Sequence, residues 1–426
     1  MRSRRSDPVE VAVTGMAVLT SAGNSLGAFW AALCAGKSTA APLLQVDTRN
    51  LPVRFGCEVR DFDPVAVFGQ KQARRTDRAT QLAGAAGAAA LADANLADVD
   101  VARAGVVVGT GFGCVATCEN AIVHAGTGGE VGRRNALAVP MGMTNAPAAH
   151  LAMRTGWTGP NMTISAACAS GAHAIGEAAR LIRDGAADVV LAGGTDAPMT
   201  VCNLINFHRI GALSVRNDDP AGASRPFDQQ RDGFVLAEAA AFALLESLPH
   251  ARARGARIWG YLLGYGRNND AWDIVKPRED GAGAKACMRL ALEESGLNER
   301  DVLFITAHGT STALNDRAEA QAISRLFTSC PPVTSVKGCV GHSIGAAGAV
   351  GFVATCLGLA AGQVPPIANY GGSEPEIDIN IVAGQPVTCK SGPGMAVSNS
   401  FGFGGNNVCL AVRGGERRLS ELSVNE

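Results

Sequence analysis

The sequence lacks an excess of charge of either sign. Its 426 residues carry 37 Lys and Arg against 38 Asp and Glu, a formal net charge of -1. That balance removes the electrostatic case for nucleic acid or an anionic membrane as main partner. Long apolar runs are lacking too: no window approaches the ~18 uninterrupted apolar residues of a membrane span. The stretch "MRSRRSDPVEVAVTG" leads from a basic start into a strand instead of a signal-length apolar run. The 12 cysteines show none of the regular spacing of a disulfide framework. Cys114 and Cys118 are the closest pair, and no nearby histidine or second pair completes a zinc site. These absences predict reduced thiols in the cytoplasm, no bound metal and no membrane span. No Gly/Ser linker or low-complexity tail divides the chain.

What is present is alternation. "VEVAVTGMAV", "AGVVVGTGFG", "NMTISAAC" and "ADVVLAGGTD" read as strands in the first half. "RIWGYLLGYG", "DVLFITAHGT", "PPVTSVKG" and "GMAVSNSFGFGGNNVCLAV" read as strands in the second. Alanine-rich helical patterns such as "RRTDRATQLAGAAGAAALADANL" and "GAGAKACMRLALEESGL" are interleaved with them. Short strands apolar on both faces, separated by helices, predict α/β sheets covered on both sides. The two series have similar order, which suggests a duplicated fold divided near residue 255, into residues 1–255 and 256–426.

Three residues in that pattern carry chemistry. Cys168 lies where a strand gives way to a helix in "TISAACASGAHAIGEAARLI", among residues too small to cover it. A structural thiol prefers apolar cover, whereas a nucleophilic one needs a helix N-terminus and room for substrate. His308 ends a strand in "DVLFITAHGTSTALND", and His342 follows another in "SVKGCVGHSIGAAGAVG". Either histidine alone reads as a satisfied core residue. With an upstream cysteine and glycine-rich surroundings, the pair reads as part of a nucleophilic site at the carboxyl edge of a sheet.

The motifs "AACASG", "AHGTST", "VKGCVGHSIGAAGA" and "SFGFGGN" occur in that order. Each is weak singly, but together they resemble the elongating β-ketoacyl-acyl carrier protein synthases of the thiolase superfamily, over nearly the whole length. The resemblance implies a five-layered α-β-α-β-α fold, a dimer, and a Cys-His-His site. It makes Cys168 the acyl acceptor and assigns His308 and His342 to the malonyl half-reaction, with Lys337 as the family lysine. Phe403 matches the gate and, with the amide of Cys168, the oxyanion hole. Thr310 and Thr312 match hydroxyls that bind the phosphopantetheine arm, and Asp316 and Glu319 match acidic positions. Phe112, Ala138 and Phe207 fall at the acyl pocket. Lys71, Arg74 and Arg75 in "QKQARRTD" fall where the family docks its acidic acyl carrier protein, although a solvated helix face explains any one of them equally well. No cofactor beyond that carrier's phosphopantetheine is implied.

The implied activity is decarboxylative condensation of an acyl group with malonyl-acyl carrier protein. A thiolase would need a second reactive cysteine in the last glycine-rich motif. Cys-His-Asn enzymes would lack His342, and a catalytically silent chain-length partner subunit would lack Cys168. A cysteine hydrolase would lack the second histidine and the carrier-binding hydroxyls. Within the family, the chain departs from the usual pattern at Gly351, where a glutamate is common, and at Ala313 and Asn315. These departures favour the ketosynthase of a polyketide system, paired with a chain-length-factor-like subunit, over a homodimeric fatty-acid synthase. Ala138 falls where the resemblance often has a bulky side chain from the partner subunit, and in such a heterodimer the interface is expected to control chain length: Ala138→Phe should shorten products, whereas Phe112→Ala should change them little.

Overall fold

The computed structural model describes residues 9–126, 136–389 and 394–419. Ten strands make one continuous sheet. They are β1 (Val11–Leu19), β2 (Ala104–Gly109), β3 (Asn161–Ile164), β4 (Val189–Asp196), β5 (Ala239–Ser247), β6 (Gly260–Asn269), β7 (Val302–Thr306), β8 (Val333–Thr334), β9 (Met395–Gly402) and β10 (Asn406–Gly414). Their spatial order is β8-β7-β9-β10-β6-β1-β5-β4-β2-β3. Read outward from the antiparallel β1–β6 contact, the two leaves repeat one pattern. Antiparallel pairs come first (β1–β5 and β5–β4; β6–β10 and β10–β9), then parallel pairs (β4–β2 and β2–β3; β9–β7 and β7–β8).

The helices that position the site are α1 (Pro64–Ala73), α2 (Arg78–Asp93), α3 (Ala138–Gly142), α4 (Ala146–Thr155), α5 (Ser170–Arg183), α6 (Ala282–Ser295), α7 (Ala313–Leu326) and α8 (Ala347–Ala361). α5 and α8 pack on each other and touch strands of both leaves. α2 and α4 cover the outside of the first leaf, and α6, with α7 against it, covers the second. The result is the five-layered α-β-α-β-α sandwich with an internal duplication. α5 follows β3 and α8 follows β8, so the two central helices occupy equivalent places in the two halves.

Small residues make the central layer possible. Gly109 ends β2, and a Cβ there would lie 2.3 Å from the Ser170 carbonyl carbon, so only glycine lets α5 start against the strand. Contrary to the sequence reading, the stretch 344–361 does have the length and apolarity of a membrane-crossing helix, yet 89% of it is buried inside the protein. Inside a protein such an all-round apolar helix is a core element.

Two elements differ from the sequence reading. Ala239–Ser247 is alanine-rich and received no strand assignment, but it is a central strand buried at every position. Its small side chains let α2 and α8 close on its two faces. The run "GMAVSNSFGFGGNNVCLAV", quoted as one unit, is the hairpin β9–β10, turned at Phe403–Gly405. Gly404 supplies the φ of 76° that this turn needs.

Candidate active site

Every group of the site leaves the carboxyl end of a parallel strand or the segment following it, the usual place for ligands in such sheets. β3 leads through Ala167 to Cys168. Ala167 is held at φ 48°, an uncommon conformation for a side-chain-bearing residue. Ser170 locks that turn: its hydroxyl donates to the Ala167 carbonyl at 2.6 Å and accepts from the Ala166 amide at 2.8 Å. Gly402 packs against the same turn, where a Cβ would lie 2.9 Å from the Ala166 carbonyl oxygen. The turn aims the Cys168 sulfur into a cavity of about 350 Å³, lined by Phe112, Phe207, Phe234 and Phe401 among others.

His342 lies in the equivalent place of the second half, between β8 and α8. Its Nε2 is 3.1 Å from Cys168 Sγ. Its Nδ1 accepts the backbone N–H of Ile344 at 3.2 Å, so the ring hydrogen sits on Nε2 and points at the sulfur. Phe234 holds the other side of the ring edge-on at 5.1 Å. His308 follows β7, its ring centroid 5.3 Å from that of His342. Lys337 Nζ donates to the His308 carbonyl at 2.5 Å and lies 3.3 Å from His308 Nδ1, which leaves His308 Nε2 as the N–H.

Glu319 accepts the backbone amides of His308 and Gly309 at 2.9 and 2.8 Å, and Asn399 Nδ2 at 3.1 Å. Asp316 accepts the amides of Thr310, Ser311 and Phe227. Gly351, the position of the family glutamate, faces Ser398 Oγ, 3.3 Å from where a Cβ would stand. The Lys337 ammonium therefore rests on His308 and feels Glu319 only through space.

Burial dominates the electrostatics. It drives both histidines well below their usual pKa, and Lys337 adds to the effect, so both rings are neutral donors at physiological pH. Burial also lowers Lys337 to about 8. The sequence places Cys168 where a strand gives way to a helix, a position that would favour the thiolate. Instead α5 begins at Ser170, two residues past the cysteine, and burial pushes the thiol up to about 12. Lys337 and the backbone amides of Phe403 and Cys168 pull it back only in part. The resting sulfur is a thiol whose anion would meet donors already in place.

The Cys168, His308 and His342 ligand atoms all lie within 4.8 Å of one another, close enough to bracket a metal ion. The surroundings do not fit one. A metal-bound imidazole normally donates its second N–H to an acceptor. Here the second nitrogen of His342 accepts from Ile344, and that of His308 faces an ammonium.

Thr310 and Thr312 line the cavity with their hydroxyls 2.9 Å apart. Phe112 and Phe207 also line it and meet edge-on at 5.7 Å. Phe403 stands in the turn beside Cys168. Ala138 is on α3, half-buried and outside the cavity of its own chain. Lys71, Arg74 and Arg75 are exposed at the C-terminal end of α1, away from the cavity wall. Asp196, a fully buried carboxylate beside the cavity, was missed, because "GGTD" at a strand end carries no distinctive spacing.

Comparison with known proteins agrees with this geometry. The N-terminal domain of beta-ketoacyl synthase matches residues 9–251, and its C-terminal domain matches residues 259–371. A 3-oxoacyl-acyl-carrier-protein synthase 2 from Synechocystis is 39% identical over 411 residues, covering 95% of this chain and 97% of the relative. The solved ishigamide ketosynthase/chain length factor superposes with a TM-score of 0.89 at 32% identity, over 96% of this chain and 99% of that one. A type II polyketide acyl-carrier protein in complex with its hexaketide-bound ketosynthase gives 0.86 at 30%, over 96% and 100%. A cysteine and two imidazoles meeting at the junction of two duplicated leaves, on a chain matched so nearly end to end, leave one conclusion: it belongs to the β-ketoacyl synthase family.

Proposed function

We propose that the protein joins an acyl group carried on Cys168 to the two-carbon unit of malonyl-acyl carrier protein, releasing CO₂ and β-ketoacyl-acyl carrier protein. The observation that carries this reading is the convergence of one sulfur and two imidazole Nε2 atoms at a largely apolar cavity. In the first half-reaction the Cys168 sulfur attacks an acyl thioester. A new S–C bond forms, the carrier thiol departs, and the Cys168 proton leaves with it.

In the second half-reaction malonyl-carrier protein loses CO₂, and the electron pair of the broken C–C bond passes into its thioester as an enolate. The enolate oxygen needs donors, and two neutral imidazole N–H groups supply them without a proton having to move first. The enolate carbon then attacks the Cys168 thioester. The amides of Cys168 and Phe403, which face the sulfur, hold the tetrahedral oxyanion. The sulfur leaves as thiolate and regains a proton. Thr310 and Thr312 support the phosphopantetheine arm on its way in. Both half-reactions balance with no metal and no cofactor beyond that arm.

Carrier-protein docking at Lys71, Arg74 and Arg75 is supported by their shared exposure on one helix end. A second subunit is supported by β3, an edge strand of the sheet among the described residues, and by Ile122, Val139 and Met153, which are each more than 70% exposed. Gly351, Ala313 and Asn315 favour a polyketide setting with a chain-length-factor-like partner. The 39% identity to a 3-oxoacyl-acyl-carrier-protein synthase 2 supports a second reading, a homodimer in fatty-acid elongation. Native mass measurement of the chain, alone and with its genomic neighbour, separates the two. The function itself is tested by intact-protein mass spectrometry after incubation with acyl-carrier protein donors. An acyl adduct mapping to Cys168, and no condensation by Cys168→Ala, is the expected result. An adduct on another cysteine refutes it.

A further inference from the structure

Asp196 ends β4 and is fully buried. Its Oδ1 accepts the Thr110 hydroxyl at 2.7 Å and the Phe112 amide at 3.1 Å. Its Oδ2 accepts the Gly111 amide at 2.8 Å and the Gly345 amide at 2.7 Å. Three of these donors lie on the loop that leaves β2 and carries Phe112 into the cavity wall. The fourth lies on the loop between His342 and α8, which comes from the other half of the fold.

The two loops meet at two glycines, Gly111 and Gly345, with the Ile344 side chain beside them. A Cβ on Gly345 would lie 2.2 Å from the Gly111 nitrogen, and one on Gly111 would lie 2.7 Å from Ile344 Cγ2. The two glycines bring no side chain of their own to this approach, and the carboxylate spans the seam with hydrogen bonds to both loops. From Gly345 the constraint passes to its neighbour Ile344, held at φ 48°, whose N–H sets the His342 ring. From Phe112 it passes to Phe207 across the cavity. Burial raises the carboxyl to about 6 while its donors lower it, so at neutral pH it is an anion held by hydrogen bonds. It does not line the cavity and touches no reacting atom.

We infer that Asp196 is a positioning residue that keeps the acyl-pocket wall and the His342 loop in register, and so governs both decarboxylation rate and the longest acyl group accepted. The inference rests on the function proposed above. Its distinctive content is that one side chain links two properties residing in different halves of the chain.

Asp196→Asn keeps the shape but sets an amide NH₂ against N–H donors. CO₂ release from malonyl-carrier protein, per Cys168 able to take a short acyl group, should fall about 10- to 100-fold, since small misplacements cost this much. KM should shift by less than about 3-fold, because the loss falls on the reacting geometry instead of on binding. The longest donor loaded onto Cys168 should grow by about two carbons or more as the Phe112 wall loosens. The ¹⁵N signals of His342, which report its Nδ1 acceptor state without any substrate, should change as well.

Unchanged turnover per site, donor range and imidazole signals, even with a lower melting temperature, would reduce Asp196 to a structural residue and overturn the inference. If Asp196→Asn does not fold, Thr110→Val removes one of the four bonds and should move the same readouts in the same direction, by about 2- to 10-fold in turnover. No movement there overturns it equally. A wild-type protein that loads no donor counts instead against the proposed function, and the imidazole signals then judge Asp196 independently.

Discussion

The backbone N–H of Ile344 donates to His342 Nδ1 at 3.2 Å, while His342 Nε2 lies 3.1 Å from Cys168 Sγ. One main-chain bond thus fixes the imidazole as a donor toward the sulfur. A ring so tied is poorly suited to pull a proton off Cys168 and well suited to receive negative oxygen.

The two histidines should therefore serve decarboxylation more than loading. His308→Ala and His342→Ala should each still acquire an acyl group on Cys168. Removing a preorganised donor to a developing oxyanion costs about 10²–10³ in rate, and CO₂ release should fall by that order in each. Simultaneous measurement of adduct mass and released CO₂ checks this; normal CO₂ release in both variants would contradict it.

Lys337 gives the reaction an alkaline limb. Its ammonium loses its proton near pH 8, chiefly through burial, and with it the charge that faces Cys168 and the imidazoles. CO₂ release should decline above that pH. The histidines should contribute no limb at their ordinary 6.5, because both are already held neutral there, so an acid limb near 6 would belong to Asp196. Lys337→Met should be slow and lose the alkaline limb. Stability moves the other way. Between about 8 and the ordinary 10.5 the unfolded chain keeps a lysine proton that the folded one has released, so the contribution of Lys337 to the unfolding free energy rises with pH across that interval. Chemical denaturation at several pH values should show the stability difference between wild type and Lys337→Met rising across that interval, because the buried thiols, which lose stability at high pH, contribute alike to both.

Charge reversal at Arg74 and Arg75 should raise KM for carrier-bound substrates about 10-fold, with the effect shrinking as salt is added. Small thioester mimics should be turned over as by wild type. Equal loss on both substrate types would place docking elsewhere.

Chain length separates two routes. Phe112 and Phe207 meet at the cavity wall, whereas Ala138 reaches an acyl chain only if a second subunit brings it there. The structure thus gives the wall more weight than the sequence does. Phe112→Ala should let the chain load longer donors, each added methylene being worth only about 0.8 kcal/mol. Ala138→Phe should alter product length only in the assembled dimer. Mass analysis of loaded donors and of products, before and after pairing, distinguishes them.

The three side chains that converge were legible because their signals are local: a cysteine before a small-residue helix, histidines at strand ends, and glycines where backbones touch. The layers were legible from alternation. Ala239–Ser247 was not, since alanine favours helix and only the helices on its two faces make it a strand. Asp196 was not, since its four donors come from residues 110–112 and 345, a proximity that folding alone creates. The thiol's raised pKa was hidden for the same reason: helix starts can be read from a sequence, but the depth at which a sulfur is buried cannot.

The position of β9 and β10 has a consequence for how the protein is made. These strands come from residues 395–414, near the end of the chain, yet they insert between β7 and β6 in the middle of the second leaf. During synthesis, Cys168, His308 and His342 all emerge from the ribosome before the strands that bring the second leaf together. From the emergence of residue 168 until residues 395–414 follow, the nascent polypeptide thus carries Cys168 without the Phe403 amide or the completed cavity. A ribosome stalled before Met395 would hold a chain that bears Cys168, His308 and His342 but lacks the two strands between β7 and β6 and the Phe403 amide beside the sulfur.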